Sequence, residues 1–368
     1  MNPYLDAFRE SAPAAVLARR IAHLAAALPP GRGPFRVMEV CGSHTMAIAR
    51  YALRDLLPPR IELISGPGCP VCVTAPGYLD TAIELARRGA ALFTFGDLLR
   101  APGSIESLAD ARAGGAAVVV CASPLAAVDA ARAEPSREVV FLAVGFETTV
   151  APILSAAAAA ERDGLRNFSL LTAFKCIPPA LEALAGDPAL AIDAFLLPAH
   201  VSAIIGASAY APFVRAHRRP CAIAGFEPLD ILDGVEALLR QAVAGAPAVE
   251  NRYNRVVRDA GNPRAQRLIA EWLVPDDAAW RGIGVIPASG LRLRAEKSAF
   301  DATRRFGLAV RTGRPNPACR CGDVLKGVLR PEQCPLFGRA CRPERPVGPC
   351  MVSSEGSCAA ALRYRPAL

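Results

Sequence analysis

From Phe35 to Gly245 the chain alternates apolar runs of strand length with segments of helical period, a pattern that commits it to parallel sheets covered by helices. The runs are Phe35 to Val40, Ile61 to Ile64, Ala91 to Phe95, Ala117 to Val120, Val139 to Val144, Ser169 to Phe174, Ala194 to Leu197 and Ala222 to Ala224. Eight strands suit two smaller sheets better than one, so the expected fold class is α/β with two Rossmann-like parallel-sheet domains, residues 36–134 and 135–245. The boundary is set at Ala130 to Arg137, where a helix end meets Glu134-Pro135-Ser136. Past Gly245, Arg-rich helical segments lead to Ile283 to Gly290, and from Arg311 onward Pro, Gly and Cys dominate. Such a tail has too little apolar periodicity to close a core and needs another fastening. Residues 1–35 and 246–368 are expected to form a third, helical and cysteine-rich domain, joined through the N-terminal helix.

Composition removes several classes of protein. Hydrophobic residues make up 52% of the chain and charged residues 21%, which excludes disorder as the main state. Phe195 to Val214 carries no Asp, Glu, Lys or Arg, but Pro198, His200, Ser202, Gly206 and Pro212 interrupt it, so it reads as strand, turn and helix and no membrane span is expected. Asp6, Glu10 and the short apolar run after Arg19-Arg20 fit no export signal, and a cytoplasmic protein is expected. The net charge of +8 is uneven, with ten basic and four acidic side chains among the last 58 residues. There the basic residues interleave with cysteines, and Phe337 and Tyr364 are the only aromatics, so no nucleic-acid partner is expected. Neither GxxxxGK[ST] nor GxGxxG occurs, which leaves any nucleotide without the usual phosphate loop.

Twelve cysteines in a chain of this length are too sparse for a disulfide scaffold and point to metal or redox chemistry. Cys41 ends an apolar strand, Gly42 permits a tight turn, and Ser43 or Thr45 can cap a helix through Ala47 to Leu57. At a helix N-terminus the amides and the dipole favour an anion, so a lowered thiol pKa is expected, with His44 near enough to contact the same ligand. Gly66-Pro67-Gly68-Cys69-Pro70-Val71-Cys72 follows the next strand. Carboxyl ends of parallel strands share one edge, which brings Cys41 to the same crevice as Cys69 and Cys72. The CxxC spacing suits a reversible disulfide or two ligands of one metal, and a closed zinc site of Cys41, His44, Cys69 and Cys72 is the alternative. Isolated Cys121, Cys176 and Cys221 read as structural.

In the tail, Cys319, Cys334, Cys341 and Cys358 are separated by 14, 6 and 16 residues, which is not the paired spacing of zinc ribbons. Four thiolates on a Pro/Gly-rich segment suit a four-iron four-sulfur cluster, whose negative charge the tail arginines would offset. Cys321 and Cys350 are left over as a possible thiol pair beside it, and a zinc knot remains the alternative. Glu147, Thr148 and Thr149 follow one strand and His200 with Ser202 another, so they line the ligand edge or merely cap helices.

With both cysteine groups identified, the sequence strongly resembles the hydrogenase maturation protein family HypD. The resemblance rests on Met38-Glu39-Val40-Cys41-Gly42-Ser43-His44, on GPGCPVC from Gly66 to Cys72, on Gly145-Phe146-Glu147-Thr148-Thr149, Pro198-Ala199-His200-Val201-Ser202 and Gly225-Phe226-Glu227-Pro228, and on the tail through Cys350-Met351-Val352-Ser353-Ser354-Glu355-Gly356 to Cys358. Many members carry a second histidine where this chain has Met46, so position 46 is not counted as a ligand. The resemblance implies a scaffold on which an iron carrying two cyanides and one carbon monoxide is assembled for nickel-iron hydrogenase, in complex with the chaperone HypC and with HypE as cyanide donor. It further implies Cys41 as the iron-binding thiol, Cys69 and Cys72 as a redox pair, and Cys319, Cys334, Cys341 and Cys358 as ligands of a 4Fe-4S cluster. The alternatives are an iron-sulfur-dependent thiol-disulfide reductase and a zinc-stabilised binding module.

Overall fold

The computed structural model describes residues 6–30, 33–187 and 189–364; residues 1–5, 31–32 and 365–368 of the expected terminal domain lie outside that set. All eight expected strands are present: β1 (Phe35–Glu39), β2 (Ile61–Ser65), β3 (Ala91–Thr94), β4 (Val118–Val120), β5 (Val139–Gly145), β6 (Phe168–Lys175), β7 (Ala194–Pro198) and β8 (Cys221–Ala224). Three more follow, β9 (Val249–Asn251), β10 (Leu273–Trp280) and β11 (Gly284–Leu293). The helices that matter below are α1 (Ser11–Ala26), α2 (Gly42–Arg50), α3 (Pro70–Val73), α4 (Glu147–Arg162), α5 (Ile177–Gly186), α6 (Pro228–Ala244), α7 (Cys321–Leu325) and α8 (Ser357–Arg363).

The strands form two sheets, ordered β2-β1-β7-β8-β9 and β10-β11-β6-β5-β3-β4. The first is parallel throughout, and the second is parallel from β6 to β4 with β11 and β10 added antiparallel. The fold is thus α/β with two parallel-dominated sheets. Their membership departs from the expected split at residues 134 and 135, because β1 and β2 pair with β7 and β8 while β3 and β4 pair with β5. The chain passes between sheets after β2, after β6 and again after β9, not at Ala130 to Arg137. A strand buried on both faces reads as the same continuous apolar run in either sheet, so its pairing partner leaves no mark on its sequence. The β10-β11 hairpin escaped the sequence reading because Pro275, Asp276 and Asp277 interrupt a half-exposed outer strand.

The helix after Cys41 also starts earlier than expected, at Gly42 instead of Ala47, and ends at Arg50. Cys41, extended at φ −146°, occupies the cap position, so Ser43 and Thr45 lie inside the helix. The N-terminal helix is a second correction. Ile21, Leu24, Ala25 and Leu28 form a stripe at helical spacing that packs with Val37, Leu196 and Leu238 in the core of the first sheet, against α6. It does not join the tail. The tail instead fills the space between the sheets, where Leu325, Phe337 and Met351 share one core with Met38, Ile64 and Leu142, and α8 packs on α2. Among the described residues no helix is long and apolar enough to cross a membrane.

Ile21 is completely buried, and Ile21→Ala should cost about 3 kcal/mol, as truncation of a buried isoleucine does. Urea unfolding measures the loss. Thiol accessibility of the tail under native conditions should stay at the wild-type level, whereas a helix serving the tail would make those thiols react faster.

Candidate functional site

In an open parallel sheet, ligands bind beyond the carboxyl ends of the strands where successive strands leave in opposite directions. In the first sheet that point lies between β1 and β7, and in the second between β3 and β5. Cys41 directly follows β1 and His200 follows β7. At the second point lies a cavity of about 240 Å³ whose walls include Cys69, Thr94, Asp97, Thr149, Ser353 and Glu355. The loops after β1 and β2 meet at the backbone: the Gly42 N–H donates to the Gly68 carbonyl at 2.9 Å, and a Cβ at Gly68 would stand 2.2 Å from the Cys41 nitrogen. No residue but glycine fits there.

Burial, not the helix dipole, decides the state of Cys41. The amides of Ser43 and His44 point at its sulfur as expected of a helix start, yet burial first and the Glu355 carboxylate second push the thiol up to about 12. The expected lowering is therefore reversed, and the thiol holds its proton until a ligand displaces it. Glu39, wholly buried in β1, accepts from the Cys41 N–H at 3.2 Å and from the Thr45 hydroxyl; burial raises it to about 8. Glu355 comes from the tail, accepts from the Ser43 hydroxyl at 2.7 Å and packs its Cβ against Gly42. His44 turns its Nε2 to the carbonyls of Ala224 and Gly225, 3.1 and 2.8 Å away. Two acceptors fix the proton on Nε2, and Nδ1 is left buried without a partner. Burial lowers this imidazole to about 4, so it is neutral with a free lone pair.

Cys69 and Cys72 sit at the start and within the first turn of α3, with sulfurs 2.6 Å apart. Both are buried. The Cys72 thiol also faces Cys350, which in turn faces Cys321. Burial first, with Cys69 beside it, holds Cys72 well above the ordinary thiol range, against the contact with Cys350, which lowers it. In the tail, Cys319, Cys321, Cys334, Cys341 and Cys358 line one small cavity with Phe337 and Gly348. Gly348 makes room for the sulfurs, since a Cβ there would lie 2.6 Å from that of Cys321. Cys321 faces Cys319 and Cys358 as well as Cys350. Among the described residues no three His, Cys, Asp or Glu side chains are already arranged to hold a metal ion, neither at Cys41, His44, Cys69 and Cys72 nor in the tail. Two of the tail arginines are paired with carboxylates, Arg320 with Asp323 and Arg330 with Glu62.

The family model described as "HypD: Hydrogenase formation hypA family" matches residues 14–365. A protein named hydrogenase maturation factor HypD from Azotobacter vinelandii is 48% identical over 369 residues, covering 98% of this chain and 96% of its own. The chain belongs to the HypD family. Its namesake from Escherichia coli K12 is 46% identical over 90% of both chains, and the hydrogenase expression/formation protein HupD of Azotobacter chroococcum is 47% identical over 98% of this chain. In this HypD chain the remaining expected positions separate. His200 stacks on Phe226 at 4.2 Å, and the other neighbour of Phe226, at 5.0 Å, is His44, so His200 stands near Cys41 behind an aromatic ring. Ser202 is wholly buried and spends its hydroxyl on Pro198 and Tyr210, away from the cleft. Thr149 lines the cavity, while Thr148 does not. Neither threonine is a helix cap, because Phe146 takes that place.

Glu39, Asp97, Phe226 and Glu355 were not singled out in the sequence. Glu39 had a signal, an acidic residue inside an apolar strand. Glu355 and Asp97 had none, because the Ser353 hydroxyl joins tail to Asp97 at 2.6 Å only in the folded chain.

Glu147 lies away from the cavity, buried at the start of α4, where its Oε1 accepts from the Ile177 N–H of α5 at 2.9 Å and its Oε2 has no partner. Burial raises it to about 7. The folded chain therefore binds a proton that the unfolded chain releases above the ordinary value of 4.5, so this residue's contribution is intact below that pH and is lost as pH rises to 7. Relative to Glu147→Gln, the wild type should lose roughly 3 kcal/mol of unfolding free energy across that interval. Urea titrations at both ends measure it; parallel pH profiles for the two proteins would contradict the assignment.

Proposed function

We propose that this chain is the scaffold on which an iron with two cyanides and one carbon monoxide is assembled for nickel-iron hydrogenase, with Cys41 supplying the thiolate that holds the iron. One observation carries the reading: a buried file of sulfurs runs from Cys69 through Cys72 and Cys350 to Cys321 and the tail cavity, and it starts in the loop that touches the Cys41 backbone. Low-spin iron with strong-field ligands suits a soft thiolate, and binding a metal is what removes the proton that burial keeps on Cys41. The free Nδ1 of His44 offers a second group toward the same cargo. Glu39, holding the Cys41 amide, and Glu355, holding Ser43, keep the helix start in place while the cargo changes.

The donor set of the tail supports a 4Fe-4S cluster, with several thiols on one cavity and Gly348 leaving them room. Such a cluster supplies single electrons to a neighbouring thiol pair. Cys319, Cys334, Cys341 and Cys358, which all line that cavity, are the proposed ligands, and Cys321, which faces Cys350, makes with it the thiol pair beside the cluster. HypC and HypE are the partners proposed for the open side of the cleft, and the twelve free thiols suit a reducing, cytoplasmic setting. Action as a reductase of protein disulfides is disfavoured by the burial of Cys69 and Cys72, which no folded substrate reaches.

Cys41→Ala, purified anaerobically with HypC, should lose the infrared bands of iron-bound cyanide and carbon monoxide while keeping the tail iron. Bands at wild-type intensity would remove Cys41 as the required ligand. In a serine scan of the tail, Cys319, Cys334, Cys341 and Cys358 should each lose most of the cluster absorbance, and Cys321→Ser should retain it; the reverse result for positions 319 and 321 would overturn that ligand set. A colourless protein holding zinc would end the cluster reading.

A further inference from the structure

The two thiols of the CxxC pair face different ways. Cys69 stands on the wall of the cavity of about 240 Å³ at the switch point between β3 and β5, and Cys72 does not. Cys69 keeps 3% of its surface exposed and Cys72 none. The Cys72 sulfur lies 2.6 Å from that of Cys69 and 3.9 Å from the Pro349 carbonyl of the tail, and the Cys72 N–H donates to the Cys69 sulfur at 3.3 Å. A molecule arriving through the cavity therefore meets Cys69 and finds Cys72 behind it. Of the residues lining this cavity only Gly96 and Asp97, in the turn after β3, are exposed, and they form its rim. Asp97 accepts from the Ser353 hydroxyl at 2.6 Å, and among the described residues no cation pairs with it. Glu355 is the second carboxylate on the wall, and no Lys, Arg or His lines the space. Buried Val71, Leu98, Leu142 and Val144 make the rest of the wall apolar.

The size and the charge of this space select its visitor. It holds the volume of roughly eight waters, less than a drug-sized ligand needs, so no protein segment enters and a molecule of a few heavy atoms does. A cleft bearing charge of one sign draws in the opposite sign and repels its own. We propose that the cavity admits small thiols of neutral or positive charge to Cys69, where they exchange with the Cys69–Cys72 pair, and that Asp97 at the rim turns anionic thiols away. This rests on reading those two cysteines as a redox pair, and it adds a route for electrons that does not pass through the tail. Starting from the disulfide, the incoming sulfur bonds to Cys69, the Cys69–Cys72 bond breaks, and Cys72 takes the proton that the incoming thiol gives up. A second small thiol then bonds to the first, their disulfide leaves, and its proton passes to Cys69. Two electrons have moved from two small thiols to the pair, and the thiol facing the tail is reduced through its partner.

The test follows anaerobic reduction of the full chain, its Cys69–Cys72 disulfide formed, by three thiols of similar size: cationic 2-mercaptoethylamine, neutral 2-mercaptoethanol and anionic 2-mercaptoethanesulfonate. Alkylation stops each reaction, mass spectrometry of the peptide carrying both cysteines reads it, and each rate is divided by that thiol's rate on the urea-unfolded chain. At low salt the amine should outpace the sulfonate at least about tenfold, and at about 1 M salt the gap should close to within about twofold. Asp97→Asn should narrow the low-salt gap at least about threefold, and Asp97→Glu should keep it; near-ultraviolet circular dichroism verifies that each variant is folded. Equal rates for the three thiols in the wild type overturn the proposal, as does a gap that a folded Asp97→Asn leaves unchanged. Should that variant not fold, a wild-type gap indifferent to salt overturns it instead. With 2-hydroxyethyl disulfide as the probe, Cys72→Ser should take up mercaptoethanol at Cys69 and Cys69→Ser should leave Cys72 unlabelled; labelling of Cys72 as fast as of Cys69 also overturns it. If the wild-type pair does not cycle between disulfide and dithiol, the redox-pair reading falls and takes this inference with it; if it cycles at rates blind to charge, only the cavity route falls.

Discussion

Leu325, Phe337 and Met351 leave water only by packing against Met38, Ile64 and Leu142 of the two sheets, so the cysteine-rich tail is ordered by a core it does not own. That constraint places everything else. Once the tail is drawn between the sheets, Glu355 comes to rest on Gly42, Ser353 on Asp97, and Cys350 against Cys72. The hairpin turn at Arg281 closes the arrangement from the other side by joining Val73 to the neighbourhood of Cys321. Apolar burial thus brings together sulfurs that lie far apart in the chain. Any metal bound in the tail cavity adds its binding energy to an arrangement the core has already begun.

The same burial sets the charge state of the site. Cys41 is pushed up to about 12, Glu39 to about 8, and His44 down to about 4. Near neutral pH the thiol and the imidazole are therefore uncharged, and Glu39 stands close to its own titration. A neutral, closely packed pocket at a strand switch point offers soft donors and holds little competing charge. Under the proposed function this suits an iron with strong-field ligands, and binding it would release a proton.

Much of this was legible in the sequence. The eight apolar runs became eight strands because parallel-sheet residues are apolar whichever face they meet. The GPGCPVC loop reached the neighbourhood of Cys41 because strand ends share an edge. The sheet pairing was not legible: β2 and β3 are neighbours in the chain yet belong to different sheets, and nothing in Ile61 to Ile64 or Ala91 to Phe95 distinguishes them. The thiol pKa of Cys41 was misjudged because the sequence shows the helix start but not the burial that raises the thiol most, nor Glu355, which arrives from the tail.

The account stands most directly on where iron sits. Diffraction from crystals of the anaerobically purified complex with HypC, collected on both sides of the iron absorption edge, locates iron without reference to any assumed ligand. The account predicts one compact multi-iron peak in the tail cavity bonded to Cys319, Cys334, Cys341 and Cys358, and a separate single-iron peak at Cys41. Iron absent from the tail cavity, or a single iron bound to Cys69 and Cys72 with Cys41 unliganded, would contradict it.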